Sequence, residues 1–254
     1  MKTFTFRLTD NDDPEERLEE AALWKAMHDV YGARIAAVTD GDADYGRPRR
    51  FARGPSMDLA YWTDPAFLKH AGRRFWVGRW EDADEQVRAL HADGLGAFIK
   101  STRAKDWICK VPVGQSLDEV ADAMAYSYID GGPPIMVQEL AKVRYEHRFF
   151  VIDRRIVTRS PNAAHLTPLD FPQTWDFETP RDHKHSLFSA GGFLMPVAED
   201  IARNMATPDA VIDCALINGE PACVEINPMV IGGVGLFACD VRAIAGALYA
   251  RDAA

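Results

Sequence analysis

The chain has 254 residues, of which 47% are hydrophobic and 26% charged, a composition typical of a soluble globular protein. Its formal net charge of -9 at pH 7 argues against a general binder of nucleic acids or anionic membranes. No run approaches the ~18 apolar residues of a membrane span, and the first residues lack the pattern of a signal peptide. Four cysteines without a CxxC pair predict buried free thiols in a reducing cytoplasm.

The beginning of the chain predicts a small α/β unit. Residues 3–8 alternate between polar and apolar side chains, which is typical of a strand. A helix is expected to begin at Pro14 and to end near Gly32, and residues 34–38 form a second strand. Residues 40–56, rich in glycine, proline and charge, are expected to form a loop.

The rest of the chain is predicted to mix strands with helices. Helices are expected at 64–70, 82–92, from the capping box at Ser116, at 196–206 and at 240–250. Strands are expected at 74–77, 96–100, 107–111, 135–140, 148–152, 155–158, 210–217 and 222–226. Residues 160–192, with four prolines and two adjacent glycines, read as a long polar loop, and such loops are usually functional or disordered.

The clearest chemical pattern is the hairpin around Asn218-Gly219, a strong turn signal. Asp213 lies before the turn, and Glu225 and Asn227 lie after it, two residues apart and therefore on one side of their strand. In a hairpin with this turn, position 213 pairs near position 224, so Asp213 is expected beside Glu225 and Asn227. Two carboxylates and an amide oxygen are hard ligands suited to Mg²⁺ or Mn²⁺. The alternative is that one carboxylate faces solvent on an edge strand.

Two lysines are the second pattern. Lys100 and Lys110 each lie in an apolar strand, FIK and WICK, where a lysine is costly to bury unless it meets an anion. Together with the basic turn 101–106 they are suited to the phosphates of a nucleotide, although the turn is not a GxxxxGK[ST] loop. The alternative is that both side chains extend from a half-exposed sheet into water.

A third group follows the strand at 135–140. Gln138, Glu139 and Leu140 end that strand, where backbone groups can meet a flat base edge, and Glu146 is placed to hold ribose hydroxyls. Arg148, planar and permanently charged, is suited to a phosphate or a carboxylate. The alternative is an exposed Glu–Arg pair of little energetic value.

In this order the pieces resemble the ATP-grasp superfamily, as a small, poorly characterised clade. VIDCALINGEPACVEINP resembles its C-terminal signature, FIK with the second strand lysine resembles its nucleotide lysines, and VQEL followed by EHRFFVIDRRIV resembles its hinge and the strand beyond. The resemblance implies an α+β fold in which two α+β lobes grip ATP, after a small α/β pre-grasp unit. It assigns 1–90 to that unit and 91–254 to the ATP-grasp domain, with 91–140 as the smaller lobe and 141–254 as the larger.

The resemblance also implies roles for the residues named. Lys100 and Lys110 would contact phosphates, and Lys110 would also reach the adenine side. Gln138, Glu139 and the Leu140 backbone would meet adenine, and Glu146 would hold the ribose. Arg148 would steady the transferring phosphate or an acyl-phosphate. The metal would be bound by Asp213, Glu225 and Asn227.

The activity that the resemblance implies is an ATP- and Mg²⁺-dependent carboxylate–amine ligase, which forms an amide through an acyl-phosphate. An amino acid, a small peptide or a protein terminus is the expected substrate, and an oligomer is compatible with the sequence. The stretch 160–192 would clamp the substrate carboxylate or close as a lid, with basic side chains from Arg159, Arg181, His183, Lys184 and His185. Two alternatives remain, a phosphotransferase that stops at phosphate transfer and a non-catalytic nucleotide sensor.

Overall fold

The computed structural model describes residues 4–7, 14–38, 59–102, 108–120, 134–163, 166–171, 183–229 and 235–253. The strands are β1 (Phe4–Arg7), β2 (Ile35–Val38), β3 (Phe75–Gly78), β4 (Ala97–Ser101), β5 (Ile108–Val111), β6 (Ile135–Glu139), β7 (Val143–Ile152), β8 (Arg155–Pro161), β9 (Ala210–Ile217) and β10 (Glu220–Pro228). The helices are α1 (Pro14–Tyr31), α2 (Leu59–Trp62), α3 (Pro65–His70), α4 (Ala83–Ala92), α5 (Leu117–Val120), α6 (His183–Asn204) and α7 (Val241–Ala253). The predicted loop at 40–56 and most of the turn at 101–106 lie outside the described residues.

The first elements confirm the predicted strand–helix–strand order. β1 and β2 pair in parallel, with α1 between them in the chain. The Ser116 capping box is also confirmed, because the Glu119 carboxylate accepts the Ser116 N–H and the Ser116 hydroxyl accepts the Glu119 N–H. The four cysteines are buried free thiols, as predicted.

Two antiparallel four-stranded sheets form the body of the molecule. The small sheet has the order β3-β6-β4-β5, and the large sheet has the order β10-β9-β7-β8. In the small sheet, alternate residues of β4 are buried, and Ile99 packs with Val87 of α4 on one face. Lys100 therefore lies on the other face, which the pairing of Phe98 with Lys110 shows to be the Lys110 face as well.

The large sheet has a hydrophobic core on each face. On one face Phe149 and Ile212 pack with α2, α3 and α6. On the other face Phe150 and Val211 pack with α1 and α7. Because α1 shares this second core, the helix of the N-terminal unit is fixed against the large sheet.

The predicted division at residue 90 stays a prediction, and two contacts extend across it. β3, which lies before it, pairs with β6 of the small sheet. α1 lies in the core of the large sheet, as described above. The residues before position 90 therefore supply one strand of the small sheet and one helix that packs on the large sheet.

The expectation of an irregular stretch up to residue 192 and a helix from 196 is wrong, because α6 begins at His183. Pro196 reads as a first helical residue, yet here it lies inside the helix, where it leaves the carbonyl of Gly192 without its usual donor. Gly192 is exposed, so water can solvate that carbonyl. Gly191, in contrast, is buried, and its missing side chain lets the helix approach His147 and Arg159.

The adjacent glycines give a matched pair of substitutions. A Cβ at Gly191 would lie 2.8 Å from the His147 ring and 2.9 Å from the Arg159 guanidinium, whereas a Cβ at Gly192 meets nothing within 4 Å. We expect Gly191→Ala to lower the free energy of unfolding by about 1–3 kcal/mol through overpacking. Gly192→Ala should raise it by roughly 0.5–1 kcal/mol, because alanine favours the helix. Urea titrations test this, and equal shifts in both variants would contradict the packing.

Candidate active site

The acidic hairpin brings its three predicted ligands to one side. Asp213 pairs directly with Glu225 rather than with residue 224, because a β-bulge at Val224 shifts the register by one. Arg73 supports that bulge, since its Nη2 donates to the Val224 carbonyl at 2.9 Å. Asn227 follows on the same side of β10, and its Nδ2 lies 3.3 Å from Asp213 Oδ2 and 3.0 Å from Glu225 Oε1.

Arg148 forms a two-bond ion pair with Asp213 on the neighbouring strand. The register of β7 against β9 places the two residues opposite each other. Arg148 donates from Nε to Oδ1 at 2.8 Å and from Nη2 to Oδ2 at 2.7 Å. The Asp213 side chain is fully buried and that of Arg148 is 8% exposed, so both charges depend on this pairing.

Lys100 joins the small sheet to this cluster. Its ammonium group donates to Glu225 Oε2 and lies 4.6 Å from the centre of the Trp62 ring. The lysine side chain is 16% exposed and the glutamate 21%, so the pair is largely withdrawn from solvent. The two sheets therefore meet at a lysine–carboxylate contact. Phosphates would compete with Glu225 for the lysine, and a cation would compete with Lys100 for the carboxylate.

The donor set fits a hard divalent cation of the magnesium type. Within the described ranges, no three His, Cys, Asp or Glu side chains cluster as metal ligands. The candidate set is instead two carboxylates and the Asn227 amide, whose NH₂ group bridges the carboxylates at 3.0 and 3.3 Å. A positively polarised group already lies between the carboxylates, and a rotation of the amide would present its oxygen to a cation there.

The two carboxylates have opposite pKa shifts. Burial raises the pKa of Asp213 to about 6, although Arg148 acts against that shift, so the group is ionised at neutral pH. For Glu225, burial acts in the same direction, but Lys100 and the Asn227 amide outweigh it and lower the pKa to about 2. Burial lowers the pKa of Arg148, yet the Asp213 carboxylate more than compensates and the net shift is upward.

Glu146 is a further acidic group near this cluster. Its carboxyl accepts a hydrogen bond from the Asn162 amide. Burial, together with the charges of Asp213 and Glu225, raises the pKa of Glu146 to about 7. A carboxyl in this position changes charge close to neutral pH.

The raised pKa of Glu146 predicts a pH dependence of stability. The folded state binds this proton more tightly than the unfolded state, so its contribution is complete below pH 4.5 and is lost as pH rises through about 7. Over that range the free energy of unfolding of the wild type should fall by on the order of 3 kcal/mol relative to Glu146→Gln. Urea titrations in EDTA, with the exposed Glu199→Gln as control, test this; parallel pH profiles would contradict it.

The residues predicted to meet adenine lie at the end of β6, an inner strand of the small sheet. Gln138 is buried on the face that carries Lys100. The Glu139 carboxylate accepts hydrogen bonds from the Arg74 N–H at 3.4 Å and the Asn218 amide at 3.3 Å. The Leu140 N–H already donates to the Gly96 carbonyl at 2.8 Å. The predicted contact of the Leu140 backbone with adenine is therefore limited to the Leu140 carbonyl.

The remaining predicted residues are spread more widely. Lys110 is exposed on the face that carries Lys100. Its predicted contact with phosphates stays a prediction. Arg159 lies on the other face of the large sheet from Arg148, because its partner Phe149 is in the core beneath α6. Arg181 and the side chain of Lys184 lie outside the described residues.

Three residues of this region were not found from the sequence. Trp62 and Arg73 come from short segments before the small sheet, and Asn162 follows β8. Asn162 had a usable signal, since a polar side chain directly after a strand often meets a polar neighbour on the adjacent strand. Trp62 lies before the helix expected at 64–70, and no spacing in the sequence links it to Lys100.

Two α+β lobes whose antiparallel sheets meet at a lysine and a set of buried acids have the architecture of an ATP-grasp protein. A family model for the ATP-grasp domain, R2K clade family 2, matches residues 70–245. The chain therefore belongs to this family. A search of curated proteins found no match.

Solved structures show the same fold. The RimK domain ATP-grasp protein from Sphaerobacter thermophilus DSM 20745 has 17% identity and a TM-score of 0.56 over 96% of this chain and 98% of that one. D-cycloserine synthetase DcsG has 15% identity and a TM-score of 0.59 over 97% and 99%. The ATP-grasp ligase PsnB, complexed with minimal precursor, Mg and ADP, has 11% identity and a TM-score of 0.51 over 99% and 98%. In the part of the chain that is described, no helix has the length and apolarity of a membrane span.

Proposed function

We propose that the chain is an ATP- and Mg²⁺-dependent carboxylate–amine ligase that forms an amide through an acyl-phosphate. The observation that carries the proposal is the contact of Lys100 with Glu225, because it aligns the lysine of one sheet with the acidic hairpin of the other. Phosphates bound at Lys100 would lie next to a cation held by Glu225, Asn227 and Asp213. The similarity to D-cycloserine synthetase DcsG and to the ATP-grasp ligase PsnB supports the same class of reaction.

In the first step, an oxygen of the substrate carboxylate would attack the γ-phosphorus of ATP, and the bond to the ADP oxygen would break. Mg²⁺ would neutralise charge on the phosphate oxygens. Lys100, released from Glu225, would bind the phosphates and hold them in line for attack. Arg148, fixed by Asp213 through two hydrogen bonds, would present its remaining N–H donors to the transferring phosphoryl group.

In the second step, the amine attacks the acyl carbon and inorganic phosphate leaves with the electrons of the C–O bond. The attacking amine must be neutral, so its ammonium form has to lose a proton first. Glu146, expected from the sequence to hold the ribose, would instead accept this proton at its carboxylate, and its pKa near neutrality supports that role. The substrate is expected to be an amino acid, a small peptide or a protein terminus.

The products distinguish this activity from its alternatives. The protein is incubated with ATP, Mg²⁺ and a mixture of amino acids and short peptides, and the products are identified by mass spectrometry. A ligase gives an amide, with the summed mass of two substrates less one water, and equal amounts of ADP and phosphate. A stable phosphorylated product would replace the proposal with a phosphotransferase, and ATP binding without turnover would replace it with a sensor.

A further inference from the structure

A carboxylate of the N-terminal helix contacts the loop next to the candidate active site. Oε1 of Glu19, on α1, accepts the backbone N–H of Leu236 at 2.8 Å and that of Phe237 at 2.7 Å. Hydrogen bonds to an ionised acceptor are roughly twice as strong as neutral ones. One side chain from near the beginning of the chain thus holds two consecutive amides that lie 217 and 218 residues later.

The same loop holds the guanidinium of Arg148. The carbonyl of Gly235 accepts a hydrogen bond from Arg148 Nη1 at 3.1 Å, and the Phe237 ring lies 5.2 Å from Arg148 Cζ. Gly235 has φ +72° and Phe237 has φ +48°, which is unusual for a phenylalanine. A backbone in this conformation persists only where its surroundings enforce it, and the Glu19 carboxylate supplies two of the enforcing contacts.

The rest of the loop is attached independently of Glu19. The Ala238 N–H donates to the Ser160 hydroxyl and the Asp240 N–H donates to the Thr158 hydroxyl, both at 2.9 Å and both on β8. Removal of the Glu19 carboxylate should therefore loosen residues 235–237 without detaching residues 238–240. The contacts to Arg148 come from Gly235 and Phe237, which both lie in the 235–237 segment.

We propose that Glu19 is a positioning residue that fixes the Arg148 guanidinium through the 235–237 loop. The catalytic consequence rests on the proposed ligase function, whereas the physical tether does not. Asp213 holds Arg148 on the Nε side, and the loop held by Glu19 engages Nη1 and one ring face. The two anchors hold different sides of the guanidinium, so loss of the loop contacts should let it shift within the ion pair that Asp213 maintains.

The test compares Glu19→Ala, Glu19→Gln and the control Asp29→Ala, which removes an exposed carboxylate from the same helix. In ¹⁵N-arginine NMR spectra of the whole chain, we expect Glu19→Ala to speed exchange of the Arg148 Nη1–H protons by about tenfold or more, because the loop that accepts from Nη1 is loosened. The Nε–H, which Asp213 holds, should change less. Glu19→Gln keeps an acceptor oxygen and should recover most of the protection. Gly235→Ala, whose Cβ would lie 2.7 Å from the Phe237 ring and 3.1 Å from Arg148 Nη1, should act as Glu19→Ala does.

The kinetic arm uses the substrates found by product analysis. Glu19→Ala should lower kcat about tenfold with the KM for ATP changed less than about twofold, because orientation rather than nucleotide binding is lost. In an Arg148→Lys background the same substitution should have no further effect. Equal exchange in Glu19→Ala and wild type would overturn the tether. If proton exchange at Arg148 changes but Glu19→Ala still lowers kcat in the Arg148→Lys background, the positioning role is overturned. If the wild type forms no amide, the proposed ligase function fails, and the exchange measurement still tests the tether.

Discussion

Replacement of Glu225 by glutamine is expected to lower Mg²⁺-dependent ATP turnover by about 10²–10³-fold, the range measured when one preorganised electrostatic contact is removed. Glutamine keeps an oxygen that can accept from Asn227, so the shape of the hairpin is preserved. It removes the negative charge that pairs with Lys100 and would attract the cation. ADP release as a function of Mg²⁺ concentration measures the effect.

The same variant should remain folded but less stable at neutral pH. The pKa of Glu225 is lowered to about 2, so its ionised form stabilises the fold above pH 4.5, and that contribution is lost as pH falls toward 2. Glu225→Gln removes it at every pH. Glu220→Gln, an exposed glutamate on the same strand, is the control, and wild-type turnover in the Glu225 variant would remove that residue from the metal site.

Replacement of Arg148 by methionine is expected to lower the free energy of unfolding by about 3–5 kcal/mol, because it leaves the buried Asp213 carboxylate without its partner. The destabilisation should be smaller in acid, where Asp213, with its pKa raised to about 6, becomes neutral more easily. Urea titrations at pH 5 and pH 8 measure the difference.

A double variant and a control variant separate the loss of the Arg148 charge from the change in side-chain size. Arg148→Met combined with Asp213→Asn should recover part of the lost stability, since no buried charge then remains. Arg144→Met, an exposed arginine on the same strand, should change little. A single Arg148→Met variant as stable as this control, at both pH values, would show that the ion pair contributes nothing to the fold.

Periodicity and turn chemistry were enough to predict most of the strands and the acidic hairpin. Alternation placed Glu225 and Asn227 on one side of β10, and Asn218-Gly219 fixed the turn. The bulge at Val224 was not predictable from these rules, and the Arg73 side chain that bonds its carbonyl comes from a segment 151 residues earlier. The hairpin rule therefore gave the right neighbours with a register one residue off.

Long-range contacts explain the remaining differences between the predictions and the structure. Pro196 and the Gly191-Gly192 pair are helix-breaking by propensity, yet α6 continues through them because its apolar side packs on the large sheet. Similarly, no local pattern singles out Glu19, and only the tertiary structure brings it to the loop at 236–237. Helix propensity depends on the local sequence, whereas the structural roles of these residues depend on contacts with residues far away in the chain.

The account depends on a cation held between the acidic hairpin and phosphates bound at Lys100. A crystal structure of the protein with Mg²⁺ and a non-hydrolysable ATP analogue tests this most directly. We predict Mg²⁺ at about 2.0–2.1 Å from oxygens of Asp213, Glu225 and Asn227, with the Lys100 ammonium moved from Glu225 to a phosphate oxygen. Nucleotide bound away from the hairpin, or phosphates bound while Lys100 stays on Glu225, would contradict it.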